Sequence, residues 1–431
     1  MNNLFNQYDA YPEYKSSGEQ WIEDVPVDWD IHKLKHLFFE KKHTQNLQLQ
    51  CGSISFGKVV TKDDDKVPHS TKASYQEVLS GEFLINPLNL NYDLKSLRIS
   101  LSDKNVVVSA GYIVLKDKVP LNKEYFKYLL HRYDVAFMKL LGSGVRQTIN
   151  FNHIANSLLP LPSDDEQELI ANFLDDKTEK IDRAIAIKEK QIELLKERKQ
   201  ILIQNAVTGG LNLNAPMKKS AVSWIGKIPA HWEVKKLKFL GTAIIGLTYS
   251  PNNLCDEGSG TLVLRSSNLF EGEFKYSEKR NVYVDTKIPD KLILRMDDIL
   301  ICSRNGSRDL IGKCAIVKED DEGASFGAFT TVFRSSMNSY LIQILNSEIF
   351  KMLSGTFLTS TINQLTIGNL NSISVPIPPE KERLEISKYL KNSRKKIDSL
   401  VNIQEEQIQK LKEYKASLIN NAVTGKIKVP A

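Results

Sequence analysis

The sequence predicts an α+β fold: two tandem globules carried on a pair of long helices that form an intramolecular coiled coil, with pseudo-two-fold symmetry. Three observations carry that expectation. The chain is written twice, each copy ends in a long stretch of helical pattern, and the stretches in between mix strand and helix signals.

The repeat is read first from its ends. Trp21-Ile22-Glu23-Asp24-Val25-Pro26-Val27-Asp28-Trp29-Asp30-Ile31-His32-Lys33-Leu34-Lys35 recurs as Trp224-Ile225-Gly226-Lys227-Ile228-Pro229-Ala230-His231-Trp232-Glu233-Val234-Lys235-Lys236-Leu237-Lys238. Seven of the fifteen positions are identical, and the four tryptophans of the chain all fall in these two copies. Leu159-Pro160-Leu161-Pro162 matches Val375-Pro376-Ile377-Pro378, and the register then holds without a gap into Asn-Ala-Val-Thr-Gly. Fourteen of twenty-two positions are identical between Lys188–Gly209 and Gln404–Gly425. Residues from about 40 to 150 and from about 243 to 358 share little that can be aligned. A period above 200 residues is too long for a solenoid, so each unit is a whole domain plus a helical element.

The stretch from Asp164 to Val207 lacks glycine and proline and is rich in strong helix formers. Ile170, Phe173, Leu174, Ile181, Ile185, Ile192, Leu195, Leu202 and Ala206 form one stripe. Ile386, Tyr389, Leu390, Ile397, Val401, Ile408, Leu411, Leu418 and Ala422 reproduce it. Prolines precede each helix, and Gly209 and Gly425 stand where the helices are expected to stop. From Thr178 to Ala206 such a helix runs about 43 Å. So long a helix with one narrow apolar face needs a partner, and the matching stripes make the other copy that partner. Lys188 and Gln404 share one stripe position and weaken it locally.

Between the matched ends, Val106–Leu115, Thr261–Leu264, Leu292–Ile301 and Cys314–Val317 read as strands, and Lys123–Leu141 and Ser339–Leu353 as helices. Each half is thus an α+β globule. The expected segments are residues 1–158 and 221–374 for the globules, 159–208 and 375–431 for the helical regions, and 209–220 for the linker. Apolar residues make up 41% of the chain and charged residues 26%, with a net charge of +6. That balance suits a soluble protein and is compatible with a polyanionic partner. No apolar run is long enough to cross a bilayer, and Met1–Gln20 has no apolar signal core, so a cytoplasmic location is expected. Cys51, Cys255, Cys302 and Cys314 lack metal-ligand spacing and read as reduced, buried thiols.

A variable globule opening with W-I-x-x-x-P-x-x-W-x-x-x-x-L-K, then P-L-P or P-I-P, then a long helix ending in A-V-T-G, all repeated once, resembles the specificity subunit of type I restriction-modification systems. The resemblance spans nearly the entire chain. It implies that the globules are target recognition domains and that the helices form an antiparallel coiled coil. It also implies double-stranded DNA, two adenine-N6 methyltransferase subunits and restriction/translocase subunits as partners. S-adenosylmethionine, ATP and Mg would then belong to those partners, with no cofactor in this chain. The residues support the same arrangement independently. Two related but different globules held a fixed distance apart can read two short sequences across a constant gap, and about 43 Å is a little over one turn of B-DNA.

Base reading needs Arg, Lys, Asn, Gln, Ser or Thr on loops that enter a groove. In the first globule the segment Gly142–Asn150 offers Ser143, Arg146, Gln147 and Asn150, with Lys58, Asn86, Asn89, Asn91 and Arg98 as further candidates. In the second, Leu353–Gln364 occupies the corresponding place and offers Thr359, Ser360, Asn363 and Gln364. Ser303, Arg304, Asn305 and Arg308 surround a glycine directly after a strand, with Lys313 following. Arg265, Ser266 and Asn268 follow another strand. For any one of these the competing interpretation is a solvated loop.

No complete catalytic motif is expected from the sequence. Asn86-Pro87-Leu88-Asn89 lacks the second proline and the aromatic of the adenine methyltransferase motif. There is no G-x-x-x-x-G-K-[ST] phosphate loop, and Pro289-Asp290 has no acidic-x-Lys partner at nuclease spacing. Two alternatives stay open on the residues alone: a specificity subunit serving another methyltransferase-nuclease assembly, and a coiled-coil scaffold whose globules bind proteins.

Overall fold

A computed structural model describes residues 8–88, 97–138, 148–270, 272–356 and 363–430. The chain divides into two compact units that do not follow chain order: Met1–Lys188 with Glu406–Ala431, and Glu189–Glu405. Each unit therefore holds one globule, the start of that globule's own long helix and the end of the other repeat's helix.

In the first unit, strands β1 (Phe38–Glu40), β2 (Phe83–Ile85), β3 (Ile99–Leu101) and β4 (Ile113–Asp117) form an antiparallel sheet in the spatial order β1-β4-β2-β3. Helix α1 (Lys123–Ala136) starts where the Asn122 side chain accepts from the Tyr125 amide. It buries Tyr125, Phe126, Leu129, Leu130 and Tyr133, an i, i+4 face. Helix α2 (Asp164–Gly209) follows. In the second unit, β5 (Thr242–Ile245), β6 (Ile299–Cys302), β7 (Cys314–Ile316) and β8 (Thr330–Arg334) form a sheet in the order β5-β8-β6-β7, again antiparallel throughout. Helices α3 (Asn338–Leu345) and α4 (Glu380–Val423) come after it. Two stretches with no alignable sequence thus fold into sheets of the same order.

The repeated motifs prove to be partners in space. Asp30–Lys33 pairs antiparallel with Leu158–Leu161, setting Ile31 opposite Pro160, and Glu233–Lys236 pairs with Ser374–Ile377, setting Val234 opposite Pro376. The indole of Trp29 donates to Glu166 at 2.9 Å, and that of Trp232 to Glu382 at 3.0 Å. The Tyr125 hydroxyl lies 3.3 Å from the Pro160 carbonyl and 3.4 Å from that of Val423. The Tyr340 hydroxyl lies 3.0 Å from the Pro376 carbonyl and 3.4 Å from that of Val207.

Within each unit the helix segments run antiparallel. In the first, Asp182 pairs with Lys415 at 2.6 Å and Lys188 donates to Gln407. In the second, Lys199 pairs with Asp398 at 2.7 Å, while Gly210 lies beside Glu382. The apolar stripe holds at Ile170, Leu174, Ile181, Ile185, Ile386, Leu390, Ile397, Val401 and Ile408, all buried. Ile192, Leu195, Leu202 and Leu411 are only half-buried, and Tyr389 is exposed. Near the helix ends the stripe is buried at Ala206, Leu418 and Ala422, and burial widens to the next residues, Ile203, Val207, Ile419 and Val423. There the globule packs on a second side of the helix.

Several expected elements differ. Val106–Leu115 is two strands in different sheets, Val106–Val108 and β4, separated by a turn at Ser109–Tyr112. Only Ile299–Cys302 of the run from Leu292 is strand, because Asp297 takes a left-handed conformation just before it. The expected helix Ser339–Leu353 breaks at Asn346 and Ser347 into α3 and Glu348–Thr356. Cys51, Cys302 and Cys314 are buried, but Cys255 is half-buried; all four are unpaired. Burial pushes the Cys302 thiol to about 11 and that of Cys314 to about 12. Among the described residues no helix is long and apolar enough to cross a membrane.

The stop signals separate as well. Helix α2 continues through Gly209, and Gly210 takes the left-handed conformation, whereas Gly425 itself is left-handed, at φ +71°. A Cβ on Gly425 would sit 2.3 Å from Cδ of the Pro26 ring, while one on Gly209 meets nothing within 4 Å. Gly425→Ala should therefore cost about 1–3 kcal/mol. Gly209→Ala, at the matching position of the repeat, should be neutral or mildly stabilising. Thermal unfolding of the two variants checks this, and equal effects would contradict it.

Candidate nucleic-acid interface

In the first globule, β2 leaves the sheet at Ile85 where β3 and β4 begin, and that rim gathers the described candidates. The Asn86 side chain accepts from the Leu88 amide at 3.0 Å, and the Asn86 amide donates to the Arg98 carbonyl at 2.8 Å. Leu88 and Thr148 form an antiparallel bridge, bringing the segments that carry Asn86 and Asn150 together. Asn150 is exposed and caps a short helix through the His153 amide. Lys58 is exposed at the end of the hairpin made by Gly52–Ser55 and Lys58–Thr61. The hairpin's turn, Phe56-Gly57, has positive φ at both residues, and a Cβ on Gly57 would strike Leu97, just ahead of β3. Asn89, Asn91, Ser143, Arg146 and Gln147 lie outside the described residues.

Arg98 is a correction. It is 5% exposed, its Nε donates to Asp134 at 3.1 Å, and its amide donates to the same carboxylate at 2.6 Å. A guanidinium buried in this way against an acid on α1 ties β3 to the helix rather than facing a groove.

In the second globule the equivalent rim lies where β6 ends and where β7 and β8 begin. Arg304 and Gln364 form an antiparallel bridge, as Leu88 and Thr148 do in the first. The Leu365 amide donates to Ser303 at 2.8 Å, the Asn363 side chain to Gly306 at 3.0 Å, and the Asn305 side chain to Ser266 at 3.0 Å. Arg304, Arg308 and Lys313 are exposed; Asn305, Asn363, Gln364, Arg265 and Ser266 are half-buried. Arg308 reaches the Gly355 carbonyl at 3.1 Å, and Arg265 the Arg280 carbonyl at 3.0 Å. The structure thus brings three separate sequence candidates, 265–266, 303–308 and 363–364, into one patch. Thr359 and Ser360 lie outside the described residues.

Two candidates here are also corrected. Asn268 is fully buried, accepting from the Arg265 amide and donating to the Lys275 carbonyl, so it shapes its loop. Ser303 is buried with its hydroxyl on the Phe329 carbonyl. Sequence reasoning missed two aromatics on these rims: Phe56, 89% exposed, and Phe329, 60% exposed and beneath the Arg304 guanidinium at 5.4 Å. A lone phenylalanine in a strand-rich region reads as core, and no local signal marked either one.

At the end of a rigid sheet, guanidinium and ammonium groups can donate to phosphates and base acceptors, and amides can both donate to and accept from base edges. Among the described residues, no group of three His, Cys, Asp or Glu side chains is placed to hold a metal ion. Because the Arg98 charge is compensated by Asp134, Asp134→Ala should destabilise the first unit by about 3–5 kcal/mol. Chemical denaturation measures this, and a loss of DNA binding at unchanged stability would instead return Arg98 to the interface.

The type I restriction modification DNA specificity domain matches residues 26–197 and again residues 229–413. The chain is similar to the MjaVIII type I restriction enzyme specificity subunit of Methanocaldococcus jannaschii, 27% identical over 423 residues covering 94% of each chain. In fold it is similar to a chain solved in work on complex assembly and conformational transition of the type I R-M system. That match has a TM-score of 0.71 at 16% identity and covers 94% of this chain and 99% of that one. It is also similar to the HsdS subunit from Thermoanaerobacter tengcongensis, with a TM-score of 0.51 at 15% identity over 94% of this chain and 98% of that one. The two ladders, the two swapped helix ends and the two domain matches account for most of the sequence, and the chain belongs to the type I restriction modification DNA specificity family.

Proposed function

We propose that the chain is the DNA sequence-recognition subunit of a type I restriction-modification complex, reading a bipartite, asymmetric target with one half assigned to each globule. It is a non-catalytic subunit. The observation that carries the reading is the rim built twice: a bridge after β2 in one globule and after β6 in the other, each beside exposed basic side chains and amides that are exposed or half-buried. The same sheet order with different rim residues suits two different half-sites. The paired helices offer a surface for two adenine-N6 methyltransferase subunits and for the restriction/translocase subunits. Those partners would bring S-adenosylmethionine, ATP and Mg to the complex.

Arg304 is the test. It is exposed, it stands at the centre of the second patch, and arginine suits the O6/N7 edge of guanine. Arg304→Ala should weaken discrimination in one half-site by about 1–3 kcal/mol and leave the other half unchanged. Competition binding with duplexes altered in one half at a time measures this. Equal losses at both halves, or none, contradict the assignment of halves to globules.

A further inference from the structure

Scattered exposed phenylalanines are ordinary and need no explanation. Phe329 differs in how it is held. Its carbonyl accepts from the Ser303 amide at 3.1 Å, the Arg304 amide at 3.0 Å and the Ser303 hydroxyl at 3.2 Å. On one side Ala328 donates to the Leu247 carbonyl at 2.9 Å; on the other Thr330, fully buried, pairs with Cys302 in the sheet. The backbone is thus fixed from three directions, while the ring is left 60% exposed, with Arg304 over its face. The aromatic is presented outward on a rigid support, beside Arg304, Asn305 and Gln364.

Those neighbours decide what the ring meets. Arginine, asparagine and glutamine side chains match guanine and adenine edges in the major groove, and the one apolar group on a major-groove base edge is the C5-methyl of thymine. We propose that Phe329 is a specificity residue of the second globule that packs on a thymine C5-methyl. Contact between ring and guanidinium places that thymine next to the base pair read by Arg304. The assignment rests on the DNA-reading function proposed above. The ring is exposed in the free protein, so its replacement leaves the core intact.

The experiment uses the full chain with its methyltransferase subunits and a duplex carrying the mapped target. Thymines of each half-site are replaced one at a time by deoxyuridine, which lacks only the methyl group. For the wild-type protein, one replacement in the second half-site should weaken binding about 3–10-fold, the value of burying one methyl group. Phe329→Ala should bind the unmodified duplex weaker by a similar factor and lose sensitivity to that replacement, and Phe329→Leu should keep part of it. Specific binding by the wild type with no deoxyuridine effect overturns the proposal, as does a Phe329→Ala protein that keeps the full effect, or a second half-site without an A·T pair. Failure of the wild type to distinguish its target from random duplex is a different outcome and overturns the function beneath it.

Discussion

Two tyrosine hydroxyls mark the constraint on which the rest of the molecule depends. Tyr125 lies between the carbonyl of Pro160 in its own repeat and that of Val423 at the end of the other repeat's helix; Tyr340 does the same with Pro376 and Val207. Both side chains are buried, and desolvation pushes both hydroxyls well above the ordinary tyrosine range. They therefore stay protonated and available as donors. A helix end of one repeat is thereby fastened to the strand ladder of the other. Neither repeat is a closed structure alone, since each compact unit needs a helix end supplied from elsewhere in the chain.

That constraint explains which parts of the sequence recur. The opening W-I-x-x-x-P-x-x-W segment and the P-L-P or P-I-P segment lie more than 120 residues apart in each copy, yet they are opposite strands of one ladder. The Asn-Ala-Val-Thr-Gly ending is the part of the helix that the other globule grips. Gly425 lies against Pro26 and Trp29, and Gly210 against Pro229 and Trp232, contacts that leave little room for side chains. The frame is kept because its two halves must fit each other. The described rim residues Lys58, Asn150, Arg304, Arg308 and Lys313 are exposed, so their side chains are free to differ.

The frame was legible in the sequence for the same reason: identity recurs where two copies meet the same partners. The shared sheet order was not. Backbone pairing fixes a sheet, and its side chains need only be apolar, so Val106–Val108 and Ile299–Cys302 carry no record of which strands they join. The errors in the candidate site have one cause. Arg98, Asn268 and Ser303 are polar residues beside glycines or strand ends, which reads as surface, but their partners Asp134, Lys275 and Phe329 are supplied by other segments. Conversely Phe329 reads as core because a single sequence gives no sign of which way a ring turns. Sequence reading named segments 303–308 and 363–364 separately, and the Arg304–Gln364 bridge brings them together in the fold.

On the function proposed, two globules of one frame read two separate short sequences. The most direct test is to co-express the chain with its neighbouring methyltransferase gene and map N6-methyladenine across the genome. A split, asymmetric motif with a constant gap is expected, one half changing when the second globule is exchanged. Methylation at a single continuous motif, or none above background, would contradict it.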